Sequence, residues 1–250
     1  MVSPHSNDWP LSLAQLGVWF ERQFYANQPS HNIGELTEIH GPLDAQLFIR
    51  CLDMAASESQ ALAVTIVEHE SGPRQAIGEA RGGGYCEFLD LSAEPDPQAA
   101  MQEAVSLKME RRLSPLDSPL FFYRLIQLAD NRFVWHQLYH HIVIDGFGWS
   151  VIARRIAELY TEISAGRRPP GAWFVPLTRL LDIEANYLSS TAFESDREFW
   201  QSYLSSLPEP ARLANSNRSF SNVAVRSACK VQGETAAALS ALAQKADMSL

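Results

Sequence analysis

Ala129-Asp-Asn-Arg-Phe-Val-Trp-His-Gln-Leu-Tyr-His-His-Ile-Val-Ile-Asp-Gly-Phe147 is the stretch from which the rest of the chain can be read. It opens on Ala129-Asp130-Asn131, where Asp and Asn tolerate turn backbone. An apolar run on each side, Leu120–Leu128 and Arg132–Tyr139, predicts a hairpin that delivers His140 and His141 at its end. Asp145 follows four residues after the second histidine, and then Gly146. After Gly148 an apolar stripe, Ile152, Ile156, Leu159 and Ile163, predicts a core-facing helix that stops at Gly166. Alternation along a strand puts His136 and His140 on one face and His141 on the other. Imidazole can hold or take a proton near neutral pH, so the pair His140 and His141 is the candidate catalytic group. Asp145 can fix the loop that carries them, and Gly146 lets backbone approach a ligand closely.

Upstream, Ser12-x-x-Gln15 is a capping box, and Leu13, Leu16, Phe20 and Phe24 recur at helical spacing as a predicted core face. A strand is expected over Glu35–His40, and Gly41-Pro42 breaks it. A helix follows from Asp44 with Leu47, Cys51, Met54 and Ala55 on one face. Ala61–Val67 reads as a buried strand that turns at Glu70–Pro73 into a hairpin with Gln75–Ile77. Gly82-Gly83-Gly84 lacks a following Gly-Lys-Ser/Thr, so it reads as a flexible loop and not a phosphate cradle. Tyr85–Leu89 is a further strand, and a helix runs from Pro95–Pro97 to about Leu113.

Downstream, Gly166–Pro176 reads as a connection. Helices are expected over Leu177–Leu188 and Glu194–Leu207, with Phe199, Trp200 and Tyr203 packed on the body. Pro208–Asn222 is linker-like, Val223–Val231 a candidate strand, and Glu234 starts another helix. This alternation predicts an α/β sandwich.

The 250 residues are 46% hydrophobic and 20% charged, an ordinary globular composition. A net charge of −9 argues against nucleic acid as a partner, because phosphate binding wants clustered Lys and Arg. Cys51, Cys86 and Cys229 are scattered and odd in number, which suits a reducing cytoplasm rather than a disulfide framework. No apolar run approaches the ~20 residues needed to span a bilayer, and the N-terminus lacks the basic head and apolar core of a signal peptide.

The His140–Gly146 segment resembles the HHxxxDG signature of the condensation domains of nonribosomal peptide synthetases. The wider stretch to Phe147 is similar to the branch found in siderophore synthetases of the enterobactin type. Ser12-Leu-Ala-Gln-Leu-Gly-Val-Trp19 resembles the family's opening S-x-A-Q-x-x-x-W segment. The resemblance implies a chloramphenicol acetyltransferase-like sandwich. Residues 1–175 would form the first lobe of a two-lobed domain, and residues 176–250 the crossover helices and the beginning of the second. It implies amide formation between a donor acyl or aminoacyl thioester and an acceptor aminoacyl thioester. No intrinsic cofactor or metal is implied: both substrates arrive on the 4'-phosphopantetheine of acyl or peptidyl carrier domains, with an adenylation domain downstream. His141 would orient the amine or take its proton, and Asp145 would hold the loop. Gly146 would offer a backbone N–H to the developing oxyanion. One departure is Glu58-Ser59-Gln60-Ala61-Leu62-Ala63, where the family carries an arginine-rich RHExLR motif. No arginine partner for Asp145 is available from that segment. A second departure is Phe147-Gly148, which displaces Trp149-Ser150 by two positions.

Rival readings differ in chemistry. His141 to Asp145 also satisfies the HxxxD of acyl-CoA-dependent O- or N-acyltransferases. A docking or gating module without catalysis would keep the fold alone. Zinc hydrolysis through His136, His140, His141 and Asp145 lacks a helical H-E-x-x-H. Gly148-Trp149-Ser150-Val151-Ile152 lacks the second glycine of a serine-hydrolase elbow.

Overall fold

The hairpin anchors the architecture. In the computed structural model, which describes residues 8–24, 31–78, 83–110, 113–116, 118–208 and 229–249, β6 (Phe121–Ala129) and β7 (Arg132–His140) pair antiparallel around the Asp130-Asn131 turn. They are the centre of a four-stranded sheet. β2 (Asn32–His40) lies antiparallel outside β7, and β5 (Cys86–Asp90) lies parallel outside β6. The strands expected for this sheet are present; β2 starts three residues earlier than Glu35, because Asn32 still pairs opposite His140.

Both faces of this sheet are covered, which is why β7 is buried from Phe133 to His140. On one face lie α2 (Ala45–Glu58) and α4 (Gly146–Ser164), over Phe121, Tyr123, Leu125, Phe133, Trp135 and Tyr139. α2 is capped by Asp44 Oδ1, which accepts the N–H of Leu47 at 3.0 Å. It buries Phe48, Cys51, Leu52, Ala55 and Ala56, while Leu47 and Met54 sit at the margin of that core. On the other face, α3 (Pro97–Glu110) brings Met101 against Ile126, Leu128 and Val134. Burial raises the Cys51 thiol to about 11 and the Cys86 thiol to about 12, so both stay protonated at neutral pH.

A second, three-stranded sheet runs β1 (Asp8–Pro10), β4 (Gly72–Ile77), β3 (Val64–His69), all antiparallel. The β3–β4 hairpin was expected; β1 was not, since three residues of Asp-Trp-Pro carry no periodicity. Ala61–Val67 is not one strand. Gln60–Ala63 is a 3-10 turn, and the strand begins at Val64. Gly83 and Gly84 have positive φ, and the Asp53 carboxylate accepts the N–H groups of Gly84 and Tyr85, both at 2.9 Å. These amides are therefore spent within the fold.

α1 (Leu13–Phe24) forms with the expected capping box. Ser12 N–H donates to Gln15 Oε1 at 2.9 Å, and Gln15 N–H to Ser12 Oγ at 3.2 Å. Its buried face differs from expectation. Gln15 and Trp19 are buried, whereas Leu13 and Phe20 are about half exposed; the side chain of Phe24 lies outside the described residues.

α5 (Leu177–Leu188) and α6 (Thr191–Ser205) follow. Phe199, Trp200 and Tyr203 do not pack on the body. They are 60%, 55% and 49% exposed, and cluster on one another with Phe199 and Tyr203 stacked at 6.0 Å. The chain divides into two units, residues 1–209 and 210–250. The second contains α7 (Gly233–Lys245). Most of the candidate strand at Val223–Val231 lies outside the described residues, and Cys229, Lys230 and Val231 are irregular. Among the described residues no helix is long and apolar enough to cross a membrane.

Candidate active site

The end of β7 aims the two histidines apart. His140, the last strand residue, turns inward and is 3% exposed, while His141 starts a turn and is exposed. His140 contacts the backbone of the turn that follows it. Its Nδ1 accepts the Ile142 N–H at 3.1 Å, and its carbonyl accepts the Val143 N–H at 3.1 Å. An imidazole that accepts at Nδ1 is neutral and carries its proton on Nε2. The His141 N–H donates to the His31 carbonyl at 2.7 Å, so the backbone of His141 is tied to the start of β2.

Asp145 ends the turn as the N-cap of α4. Its Oδ1 accepts the N–H of Gly148 at 2.7 Å and of Phe147 at 3.1 Å, and its carbonyl accepts the Trp149 N–H. A carboxylate at a helix N-terminus also gains from the helix dipole. Helix amides hold the Asp145 carboxylate where an arginine was sought in sequence. The first-turn N–H not engaged in this cap belongs to Gly146, where an added Cβ would meet nothing within 4 Å. Gly148 is the sterically demanding glycine: a Cβ there would lie 2.8 Å from Ile144 Cγ1 and 3.2 Å from Asp145 Oδ1. That close approach favours glycine at position 148.

His141, Asp145, Phe147 and Gly148 line a cavity of about 860 Å³. Its walls come from four places. α1 supplies Ala14, Gln15 and Val18; the 3-10 turn supplies Gln60, Ala61 and Leu62; α4 supplies Val151 and Ile152; residues 174–183 supply Phe174, Val175, Leu177, Leu180 and Ile183. The opening Ser12–Trp19 segment and the histidine motif, 120 residues apart in sequence, thus share one cavity. The Glu184 carboxylate of α5 accepts the Leu13 N–H at 3.0 Å, which ties the two walls together.

Most polar groups on the lining are already engaged. Gln15 bonds Ser12 and Gln75, Gln60 Oε1 accepts the Leu177 N–H at 2.8 Å, and Asp145 is spent in its cap. His141 is the imidazole on this otherwise apolar lining.

The segment that replaces the arginine-rich motif has its own solution. Arg155 of α4, 1% exposed, reaches back to it. Its Nε and Nη2 donate to the Glu58 carboxylate at 2.7 and 2.8 Å, its Nη1 to Glu158 at 2.6 Å, and Nη2 also to the Pro170 carbonyl at 2.9 Å. Glu158 also accepts the Trp173 Nε1–H at 2.9 Å. The Glu58–Ala63 segment thus contributes an acid, Glu58, to an arginine carried by the helix. The pair fastens the 166–176 connection, and with it Phe174–Leu177, to the cavity. No local pattern marks Arg155, because the acid that satisfies it lies 97 residues away.

His136 does not join His141. It is fully buried on the α3 side of the sheet, edge-on to Phe122 at 5.9 Å, and burial first, then Arg124 and Lys108, lowers its pKa to about 4. With His136 and His140 turned inward and His141 turned to the cavity, the residues of the zinc reading do not converge. Among the described residues no group of His, Cys, Asp and Glu could hold a metal ion.

The sequence profile of the Condensation domain matches residues 5–250. The chain belongs to the condensation-domain family. It is 34% identical over 205 residues to an isonitrile lipopeptide synthase of Streptomyces coeruleorubidus, covering 82% of this chain and 14% of that protein. It is 33% identical over 225 residues to a dimodular nonribosomal peptide synthase of Bacillus subtilis, covering 89% of this chain and 9% of that protein. Enterobactin synthase component F of Escherichia coli is 30% identical over 211 residues, 84% of this chain and 16% of that protein. Among solved structures, the starter condensation domain of rhizomide synthetase superposes with a TM-score of 0.79 at 31% identity, over 85% of this chain and 48% of that one. The first condensation domain of the calcium-dependent antibiotic synthetase gives 0.72 at 29% identity, over 82% and 49%. The fold is therefore the α/β sandwich of condensation domains. The chain spans about half of those solved chains and a sixth or less of the synthetases it matches.

Proposed function

We propose that this chain provides the catalytic first half of a condensation domain, which forms an amide between an acyl thioester and the amine of an aminoacyl thioester. Residues 1–175 make the first lobe, and residues 176–250 the crossover and the beginning of the second. The observation that carries this reading is His141, held by its own N–H at the wall of a large apolar cavity whose other polar groups are mostly engaged.

The acceptor's neutral amine attacks the donor carbonyl. The C–N bond forms, the C–S bond breaks, and the thiol leaves with the proton that the nitrogen sheds. His141 accepts a hydrogen bond from that amine and aims it. An α-amine titrates near ~8, so a positioned imidazole suffices once the amine is neutral. The Gly146 N–H, at the positive end of α4, faces the developing oxyanion. Asp145 keeps the loop in register through its cap. Tethering on phosphopantetheine arms of carrier domains supplies high effective concentration, so catalysis draws mainly on positioning. An adenylation domain in the same assembly would load the acceptor carrier.

The lining favours an apolar acyl donor over an aminoacyl donor with a free ammonium. Burying that cation beside Leu62, Ile142, Val143 and Phe174 is costly where the lining carboxylate, Asp145, is already engaged in its helix cap. The rhizomide domain was crystallised with C8-CoA and Leu-SNAC, an apolar acyl donor and an aminoacyl acceptor, which supports the same choice. The test offers the full polypeptide that contains this chain a carrier-bound fatty or aryl acyl donor with a carrier-bound aminoacyl acceptor. Amide product, read by mass spectrometry, is expected. Equal turnover of acetyl-CoA with simple alcohols or amines, with no carrier present, would replace this reading with an acyl-CoA-dependent acyltransferase.

A further inference from the structure

The backbone of His141 is held from outside its own motif, by His31. Three contacts converge on that residue. Its carbonyl accepts the His141 N–H at 2.7 Å. Its ring, in a residue only 8% exposed, stacks on the His140 ring at 5.7 Å and 21°. Its Nε2 lies 3.4 Å from Glu21 Oε2 on α1. Glu21 is on the outside of that helix, and the same helix presents Ala14, Gln15 and Val18 to the cavity. His31 therefore joins a cavity wall to the loop that carries the imidazole.

We propose that His31, set beside Glu21, is a positioning residue for His141. The proposal rests on the role assigned to His141 above. Its physical content is a distance. The turn from His141 to Val143 is held on one side by His140 and on the other by the His31 carbonyl. The His31 carbonyl can stay put only if the residue itself stays put. Its ring is wedged between His140 and α1, at the end of β2 where Asn32 still pairs with His140. Shaving the ring to a methyl group removes the wedge and frees the carbonyl to shift. Displacing a catalytic group by ~1 Å costs up to ~100-fold in rate. A partial release here is expected to lower kcat about tenfold. The cavity walls that meet the acceptor are not altered, so its KM is expected to stay within twofold.

The experiment uses the full polypeptide containing this chain, with loaded carriers, and the variants His31→Ala, His31→Gln, Glu21→Ala and His141→Ala, alone and with His31→Ala added to His141→Ala. Product is quantified by mass spectrometry over incubations long enough to read the residual rate. His31→Ala should lower kcat about tenfold at unchanged acceptor KM. His31→Gln, whose flat amide can lie on His140 and donate to Glu21, should recover most of it. Glu21→Ala, at a surface position that leaves folding intact, should fall in the same direction by a smaller factor. In the His141→Ala background, His31→Ala should change the residual rate less than twofold, because there is nothing left to position. The proposal is overturned if His31→Ala and Glu21→Ala both leave kcat within twofold. It is overturned equally if His31→Ala lowers the His141→Ala residual rate by the same tenfold, since the ring then acts on something else. A slow His141→Ala with a normal His31→Ala removes only this proposal. A His141→Ala variant as fast as the parent removes the proposed function, and this proposal with it.

Discussion

Replacing Arg155 with methionine should be the most damaging single change outside the His140–Gly146 loop. The guanidinium is 1% exposed and donates to Glu58, Glu158 and the Pro170 carbonyl at 2.6–2.9 Å. Methionine fills the space of the stem, so the loss is electrostatic and not a cavity. Removing one partner of a buried ion pair costs ~3–5 kcal/mol, because the remaining charge is left uncompensated. Here the two acids keep a solvent edge, with Glu58 at 18% and Glu158 at 35% side-chain exposure, and can rehydrate in part. The expected cost is therefore near the low end, ~3 kcal/mol. For a chain of this size each kcal/mol moves the midpoint by ~2–4 °C, so Tm should fall by ~6–12 °C. The assay is thermal unfolding followed by circular dichroism at pH 7. Arg155→Lys keeps the charge but loses the fork to Glu58, and should fall between the parent and Arg155→Met. Hydrogen exchange should also rise over 170–177, which Arg155 and Gln60 hold. A midpoint within ~2 °C of the parent for Arg155→Met would refute the reasoning, because the Arg155–Glu58 pair would then not be what secures the cavity wall.

Other consequences follow from single residues. His136 has a folded pKa of about 4 against 6.5 when exposed, so the unfolded chain binds more protons between those values and stability rises with pH across that window. The contribution is complete above pH 6.5 and is lost as pH falls toward 4, a swing of about 3 kcal/mol; His136→Leu should flatten the urea-midpoint profile between pH 4 and 7. Gly148→Ala forces a Cβ to within 2.8 Å of Ile144, so it should displace the Asp145 cap and lower both Tm and the rate of amide formation. Asp145→Ala removes the acceptor for two helix amides and should cost ~1 kcal/mol, read by urea denaturation. Asp145→Asn, which still accepts, should lose less.

The sheet and the helices facing it were legible because their signals are local. Asp130-Asn131 marks a turn, Phe121–Leu128 and Phe133–Tyr139 are largely apolar runs, and Ile152, Ile156 and Leu159 repeat at helical spacing. The errors cluster where apolar residues meet something other than packed core. On α1 and α5, Ala14, Val18, Leu180 and Ile183 face an open cavity, while Leu13 and Phe20 remain exposed. Hydropathy registers an apolar stripe and cannot tell a cavity wall from a core. Phe199, Trp200 and Tyr203 gave the same false signal, because aromatic rings can cover one another on a surface.

The site was half legible. His141 and Asp145 are neighbours in sequence, and their motif placed them together. His31, Arg155 and Glu184 act across 110, 97 and 171 residues, and no local pattern marks them. The helix cap of Asp145 was readable as an acid before a helix start. The Arg155–Glu58 pair was not, since each half alone looks like an ordinary surface charge.

The central claim is that amide formation runs through His141. The direct measurement is single-turnover product formation by the full polypeptide, with donor and acceptor loaded on their carriers, for the parent and for His141→Ala. His141 is exposed at the cavity, so the substitution should leave Tm unchanged while the rate falls ~100-fold, the lower range for loss of a positioned acid–base group. A His141→Ala protein that folds normally and makes amide at the parent's rate would contradict the account.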